Sequence, residues 1–155
     1  MKLGFTGTQK GMTPQQQMAV ELLLTRLMVA EAHHGDCVGA DEQFHHAVLT
    51  RNACIRKPPI QLIGHPPLLQ HRRAWCQFNI FMPPKPYLDR NHDIVDAIDA
   101  LIVCPNTPVE QRRSGTWATF RYAKRMKKPM IVILPSGEAI FTPPQWWAQW
   151  TDRLL

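Results

Sequence analysis

Short apolar runs alternate with helical segments along this sequence, and that alternation constrains the fold more than any other feature. The last two runs, Ala100–Cys104 and Met130–Leu134, are almost entirely apolar, which is typical of strands covered on both faces. A regular alternation of strands and helices favours a parallel sheet with helices on both of its faces. Strands are predicted over Lys2–Thr6, a run ending at His34, Ile60–Ile63, Ala100–Cys104 and Met130–Leu134.

Helix-start signals stand between the predicted strands. Thr13 is the predicted N-cap of a helix over Pro14–Ala30, and Gln16 can complete a capping box with it. Asp41 is the predicted N-cap of the next helix. Further helices are predicted over Leu88–Ala97, Gly115–Lys127 and about residues 143–153. The sequence thus predicts an α/β chain with a Rossmann-like parallel sheet of about five strands.

Length and composition narrow the class of protein. A chain of 155 residues fits one domain, here taken as residues 1–155, and its 45% of hydrophobic residues suffices for a core. No apolar run approaches a membrane span, and the N-terminus lacks the apolar stretch of a signal peptide. The four cysteines lie far apart, which is typical of free thiols in a reducing compartment, so we expect a cytoplasmic protein. A net charge of +6 favours anionic partners.

The loops that follow the predicted strands carry the candidate binding residues. Ligands of open parallel sheets bind at the carboxyl ends of the strands, where these loops meet. Glycine lets a backbone approach a phosphate, hydroxyls donate hydrogen bonds, and helix N-termini present free N–H groups to an anion. The candidate binding residues in these loops are Gly7, Thr8, Gln9, Lys10, His34, Gly35, Asp36, Gly39, Arg113, Ser114, Gly115 and Thr116.

A histidine-rich stretch raises the alternative of a metal site. Six side chains that could bind a metal lie within fourteen residues: His33, His34, Asp36, Cys37, His45 and His46. The chain has no HExxH motif and no CxxC pair, so we predict neither a metal nor a resident cofactor. A helix N-terminus beside Cys37 would lower the pKa of a nucleophilic thiol, but a packed cysteine is the preferred interpretation.

A second pattern is an Arg, an Asp nine residues later, an apolar strand, a Pro and a Gly-Thr pair. Arg90, Asp99, Pro105 and Gly115-Thr116 stand in that order. In this order the sequence resembles the SLOG superfamily, which includes the LOG-type nucleoside-monophosphate phosphoribohydrolases. Three further stretches resemble its small single-domain, YpsA-like branch: Gly4–Thr8, His34–Asp41 and Arg113–Ala123.

The resemblance spans about residues 2–137 and implies a nucleotide-binding Rossmann-like domain. It adds Arg90 and Asn91 to the candidate binding residues. SLOG proteins commonly form dimers or larger assemblies, so the resemblance also implies a homo-oligomer, either a dimer or a tetramer. Nucleotide-sensing SLOG domains occur in bacterial defence systems, which suggests a phage-related or defence-related setting.

The departures from the LOG pattern bear on catalysis. Arg112-Arg113-Ser114 replaces the paired glycines before Gly115, and Thr119 stands where LOG enzymes carry a catalytic glutamate. The preferred hypothesis is therefore a sensor or sequestering protein that binds a nucleotide or an ADP-ribose-type ligand without cleaving it. The sequence leaves enzymatic activity undecided.

Two alternatives to simple binding stay open. One is a nucleoside-phosphate N-glycosidase in which Asp36 or Asp93 replaces the missing carboxylate and Arg90 supports cleavage. The other is nucleic-acid binding, which ranks third because the only basic stretch lies over residues 121–128. We predict a nucleotide-type small molecule as the partner, with nucleic acid and membrane not expected.

Overall fold

A seven-stranded sheet forms the centre of the computed structural model, which describes residues 1–150. Its strand order is β4–β3–β2–β1–β5–β6–β7, and every neighbouring pair is parallel except β6 and β7. The strands are β1 Lys2–Gly7, β2 Glu31–His34, β3 Gln61–Gly64, β4 Ile80–Phe81, β5 Ala100–Cys104, β6 Met130–Ile133 and β7 Ala139–Thr142. The predicted α/β class is confirmed, although the sheet has seven strands rather than about five.

Helices cover both faces of the sheet. The helices are α1 Pro14–Arg26, α2 Ala40–Cys54, α3 Tyr87–Ala97, α4 Gly115–Arg125 and α5 Pro144–Trp147, with 3-10 turns at Gln70–Arg72 and Ala148–Trp150. Alternate residues of β5 point to opposite faces, as the pleat of a strand requires. Ile102 packs in the core formed with α1 and α2, whereas Leu101 and Val103 pack in the core formed with α3 and α4.

The two unpredicted strands lie at the edges of the sheet. β4 has two residues and pairs with the end of β3, at the close of a stretch without hydrophobic periodicity. β7 forms an antiparallel hairpin with β6 across a turn in which Gly137 has a φ of 89°. Short edge strands carry little of the alternation on which strand prediction depends.

The start of α1 confirms one helix prediction, and the start of α2 corrects another. The Thr13 hydroxyl accepts a hydrogen bond from Gln16 N at 3.1 Å, and the Gln16 side chain accepts one from Thr13 N at 3.0 Å. Asp41 was a wrong choice of N-cap, because Gly39 holds that position with a φ of 94°. The Asp41 carboxylate instead accepts a hydrogen bond from Cys37 N at 3.2 Å.

The helix ends are less well predicted than the helix starts. α1 ends at Arg26 rather than Ala30, and α4 ends at Arg125 rather than Lys127. Of the helix predicted over residues 143–153, α5 and the following 3-10 turn are seen, and residues 151–153 lie outside the described part of the chain. Within residues 1–150, none of the helices has the length and apolar character needed to cross a membrane.

Candidate functional site

A cavity of about 270 Å³ opens at the carboxyl ends of β1 and β5. The strand order reverses between these two strands, since β2, β3 and β4 lie on one side of β1 and β5, β6 and β7 on the other. Open α/β sheets bind ligands at such a switch point. The cavity is lined by Gly7, Thr8, Gln9, Arg72, Tyr87, Asn106, Gln111, Arg113, Ser114, Gly115 and Thr116.

The loop after β1 is held in place by its own backbone. Thr8 N donates to Cys104 O at 3.3 Å, and Thr8 O accepts from Gly11 N at 3.1 Å and from Ala40 N at 3.0 Å. The last of these bonds occupies the first N–H of α2. The α2 N-terminus is thereby capped by the protein itself, and the N-terminus of α4 is the one that lines the cavity.

The N-terminus of α4 gives the cavity its positive character. Ser114 is the N-cap, and its hydroxyl accepts a hydrogen bond from Trp117 N at 3.4 Å. Gly115 and Thr116 begin the helix and line the cavity, and the first N–H groups of a helix have no acceptor within it. A Cβ at Gly115 would overlap the Tyr87 hydroxyl, so only glycine permits this close approach. These features suit an anion at the helix end.

Two arginines add full charges to the same cavity. Arg72 and Arg113 line it, and neither forms an ion pair within residues 1–150. None of the residues that line this cavity is Asp or Glu. Two unpaired guanidinium groups beside a helix N-terminus are what a phosphate or another anion requires.

An apolar cavity of about 270 Å³ adjoins the polar one. It is lined by Pro67, Leu68, Leu69, Arg72, Pro86 and Tyr87. Arg72 and Tyr87 line both cavities and so mark their junction. We call the two cavities the polar compartment and the apolar compartment of the site.

The loop after β2 lies beside the site rather than in its lining. His34 is fully buried, and its Nε2 lies 3.0 Å from His45 Nδ1. Asp36 is also fully buried, with a left-handed φ of 54°. Its carboxylate accepts hydrogen bonds from Arg73 Nε at 2.8 Å and from Cys76 N at 2.9 Å. Asp36 therefore anchors the segment that carries Arg72 into the polar compartment.

Arg90 lies behind Tyr87, outside the cavity lining. Its guanidinium is 4.8 Å from the centre of the Tyr87 ring and donates to Cys37 Sγ at 3.0 Å. The other terminal nitrogen is 4.0 Å from Asp41 Oδ2. Burial raises the pKa of Asp41 to about 6, against the opposing effect of Arg90. Burial also raises the pKa of Cys37 to about 11, which keeps it a thiol at neutral pH and favours the packed-cysteine interpretation.

The resemblance assigns Thr119 to the position of the LOG glutamate, and this threonine is buried. Thr119 donates its hydroxyl hydrogen bond to Gly115 O at 3.0 Å, within α4. Two residues earlier, Trp117 is buried and its Nε1 donates to Thr107 Oγ1 at 3.2 Å. Trp117 thereby ties the loop after β5 to the helix that follows it.

The structure brings half of the sequence-predicted binding residues into the cavity. Those that line it are Gly7, Thr8, Gln9, Arg113, Ser114, Gly115 and Thr116. Those outside the lining are Lys10, His34, Gly35, Asp36, Gly39, Arg90 and Asn91. Lys10 is exposed, whereas His34, Gly35, Asp36, Arg90 and Asn91 are buried behind the site. Binding by any of these residues stays a prediction.

Four lining residues were missed by sequence reasoning. Asn106 and Gln111 belong to the loop after β5, which the sequence already assigned to the binding edge, so the loop itself was the available signal. Arg72 and Tyr87 come from a stretch that showed no pattern, and only the folded chain brings them to the switch point.

A second cavity and a metal site are the other possibilities for a functional site, and both are less well supported. A larger cavity of about 590 Å³ lies at the opposite ends of β2 and β3, lined by residues that include Met28, Pro58 and Pro59. It is remote from the strand ends at which α/β folds bind ligands. Among residues 1–150, no three His, Cys, Asp or Glu side chains are arranged to hold a metal ion.

Two solved structures share this fold. The molybdenum cofactor binding protein from the phototrophic bacterium Rippkaea orientalis has a TM-score of 0.64 and 19% identity, covering 86% of this chain and 76% of its own. TM1055, a Northeast Structural Genomics Consortium target, has a TM-score of 0.55 and 13% identity, covering 83% of this chain and 71% of its own. No protein-family model and no curated protein matches the sequence. The likeness supports a Rossmann-like fold, and membership in the SLOG superfamily stays a prediction.

Proposed function

We propose that this protein binds a nucleotide or an ADP-ribose-type ligand, with its phosphate at the N-terminus of α4. The observation that carries the proposal is the composition of the polar compartment. It combines the free N–H groups of Gly115 and Thr116 with the unpaired guanidiniums of Arg72 and Arg113, and it has no carboxylate in its lining. A dianionic group gains charge-assisted hydrogen bonds there without meeting a like charge.

The apolar compartment supports a ligand that also carries a ring. Leu68, Leu69 and the neighbouring prolines offer apolar surface beside the anion site, and Tyr87 lies at the junction of the two compartments. This division matches a phosphate and sugar on one side and a base on the other. The structural neighbour from Rippkaea orientalis is described as binding the molybdenum cofactor. Cofactor-type small molecules therefore belong in the ligand panel beside nucleotides.

Several contacts favour binding over cleavage. The N-glycosidase alternative needs a carboxylate at the scissile bond, and the sequence offers Asp36 and Asp93 for it. Asp93 does not line the polar compartment, and its carboxylate forms an ion pair with Lys85 at 2.6 Å. Both Asp36 oxygens already accept hydrogen bonds from Arg73 and Cys76 N, and the side chain is fully buried. Thr119 cannot supply a charge. We therefore favour a sensor or a sequestering protein, and the four free cysteines accord with a cytoplasmic setting.

The experiment compares two adjacent arginines. Isothermal titration of AMP, NAD and ADP-ribose measures affinity for the wild type, for Arg113→Ala and for the control Arg112→Ala. Arg113 lines the polar compartment, whereas Arg112 is exposed beside it and is not part of the lining. Loss of one charged hydrogen-bonding group predicts a drop of about tenfold or more for Arg113→Ala and little change for Arg112→Ala.

Chromatography of the ligand recovered after denaturation decides between the hypotheses. Intact, stoichiometric ligand supports a binding protein. Free base and ribose phosphate produced with turnover would establish the N-glycosidase. A third result would favour nucleic-acid binding instead. Both arginine variants would then lose nucleotide affinity equally, and the affinity of the protein for DNA or RNA would fall steeply with salt.

A further inference from the structure

The larger cavity, of about 590 Å³, lies at the amino ends of β2 and β3, at the edge of the sheet opposite the proposed nucleotide site. Its walls are residues 28–31 at the start of β2, residues 57–59 and Gln61 at the start of β3, and Arg51 of α2. Small-molecule sites in proteins have volumes of roughly 300–1,000 Å³, so this cavity has room for a small ligand.

Arg51 differs from the other buried charged side chains of the protein. The Asp and Arg side chains buried in residues 1–150 are Asp36, Asp41, Arg51 and Arg90. Asp36 lies 2.8 Å from Arg73, and Asp41 lies 4.0 Å from Arg90. Arg51 is 5% exposed, yet no carboxylate of residues 1–150 lies within 4.0 Å of its guanidinium. Because burial of an unpaired charge is costly, Arg51 is the buried group that most needs an anion.

The guanidinium of Arg51 is fixed by one of its nitrogens. Nη1 donates to Pro58 O at 2.7 Å and to Asn52 Oδ1 at 3.2 Å, which holds the side chain against the cavity wall. Nε is buried without a partner, and Nη2 forms no hydrogen bond to the described part of the chain. The edge formed by Nε and Nη2 therefore has no protein acceptor, and two parallel N–H groups on one edge match a carboxylate.

The other charged residues of the lining already have partners. Glu31, its carboxylate, lies 3.5 Å from Lys2 Nζ and 3.1 Å from His33 Nε2. Lys57 donates to Thr25 O at 3.2 Å. Because a ligand with two negative charges would meet Glu31 in the same cavity, the lining suits a monoanion better than a phosphate dianion.

The rest of the wall is mainly apolar. Its apolar side chains are Met28, Val29, Ala30, Pro58 and Pro59. The backbone of Ala30 is satisfied on both sides, since its N–H donates to Met1 O and its carbonyl accepts from Gln61 N, each at 2.9 Å. Proline has no N–H to leave unpaired. An apolar ligand body can therefore cover this wall without burying unpaired donors there.

We propose that this cavity is a second binding site, which takes a small carboxylic acid with an apolar body. The carboxylate binds the Nε and Nη2 edge of Arg51, and the alkyl or aryl body packs against Met28 and the two prolines. The site is separate from the polar compartment, because the two cavities lie at opposite ends of the parallel strands. The proposal does not depend on nucleotide binding.

The test is an NMR titration of the full chain with hexanoate, with hexanamide as the neutral control of the same shape. Hexanoate is expected to shift the signals of the Met28 methyl group and the Arg51 Nε–H. Its affinity should exceed that of hexanamide by about tenfold or more, because a charge-assisted pair is lost in the amide. From butanoate to octanoate, affinity should rise by up to about fourfold for each methylene group that is buried.

Variants at Met28 change the charge of the cavity without touching Arg51. This side chain is 47% exposed, so charged substitutions leave the core intact. Met28→Glu is expected to weaken hexanoate binding by about threefold or more, and Met28→Lys to preserve or strengthen it. The matched control is Met18→Glu on α1, a side chain of 70% exposure outside the lining, which should leave the affinity unchanged.

Arg51→Gln should abolish the preference for hexanoate over hexanamide. Because Arg51 also holds Pro58, circular dichroism checks the fold of this variant, and the Met28 variants decide the question if it fails to fold.

The opposing outcomes are distinct. No shift of the Met28 and Arg51 signals at millimolar hexanoate overturns the proposal and leaves Arg51 as a brace for the backbone at Pro58. Shifts confined to the N-terminus of α4 overturn it as well, because the anion then uses the polar compartment. Equal affinity for hexanamide, or equal losses in Met28→Glu and Met18→Glu, would show that Arg51 does not select the ligand.

Discussion

The guanidinium of Arg90 lies directly against the backbone of Gly35, so that a Cβ on residue 35 would overlap Arg90 Nη1. This contact joins the loop after β2 to α3. It also explains why a glycine precedes Asp36, whose own φ is 54°. Because residue 35 has no side chain, the buried guanidinium of Arg90 fits against its backbone. Asp36, the next residue, has a left-handed backbone and anchors the segment around Arg73.

Gly35→Ala is expected to destabilise the protein by about 2–4 kcal/mol. The methyl group displaces Arg90 from Cys37 and Asp41, and a buried charge that loses its partners is costly. Urea unfolding measures the free energy of unfolding of four proteins: the wild type, Gly35→Ala, Arg90→Ala and the double variant. Because Arg90→Ala removes the overlap, the alanine at residue 35 should cost clearly less in that background. Strictly additive losses would contradict the proposed clash.

Asp36→Asn tests whether Asp36 positions the site or performs chemistry. The substitution removes the ion pair to Arg73 and leaves an oxygen to accept from Cys76 N, so we expect a loss of about 1–3 kcal/mol in local stability. Hydrogen exchange should quicken around residues 72–76, and ligand affinity should fall through the displacement of Arg72. Unchanged exchange together with the loss of a measured hydrolysis would assign Asp36 a chemical role instead.

Buried histidines predict a loss of stability in acid. His33 Nδ1 lies 3.0 Å from His65 Nε2, and His34 pairs likewise with His45. Burial lowers the pKa of all four, that of His65 to about 4. Since the unfolded chain binds these protons first, the stabilisation is complete above pH about 6.5 and declines as the pH falls toward 4.

The carboxyl group of Asp41 changes the stability in the opposite direction over the same pH range. The pKa of Asp41 is raised to about 6 by burial, so the folded protein gains a proton there before the unfolded chain does. We expect the four histidines to outweigh it. Denaturant midpoints between pH 7 and 4 measure the net slope. His65→Gln should flatten that slope, whereas the exposed His71→Gln should leave it unchanged.

Trp117→Phe is expected to loosen the loop after β5. The indole N–H donates to Thr107 Oγ1, and its loss should cost about 1 kcal/mol in stability and several-fold in ligand affinity. Thr107→Val removes the acceptor and should have a similar effect on affinity. Combining the two substitutions should add little to either. Independent, additive effects would show that the bond does not hold the loop in its binding conformation.

Local and periodic signals made much of this fold predictable from the sequence. The apolar run Ala100–Cys104 has the bounds expected of a strand covered on both faces, and the hydrogen bonds between Thr13 and Gln16 start α1 at the expected residue. The loops at Gly7 and at Ser114 were placed at the binding edge because parallel strands end there. Each of these features depends on residues close together in the chain or on the repeat of a strand or helix.

The tertiary structure decided what depends on distant residues. Asp41 could have capped α2 by its position, but Gly39 and the Thr8 carbonyl do so, because β1 ends beside that helix. Arg72 and Tyr87 reach the cavity only because the segment between β3 and α3 folds over the strand ends. The sequence of that segment has no hydrophobic periodicity from which its course could be predicted. Asp36, which is far from it in sequence, anchors it. Sequence by itself determined the layers and the binding edge, whereas long-range packing chose the side chains that form the site.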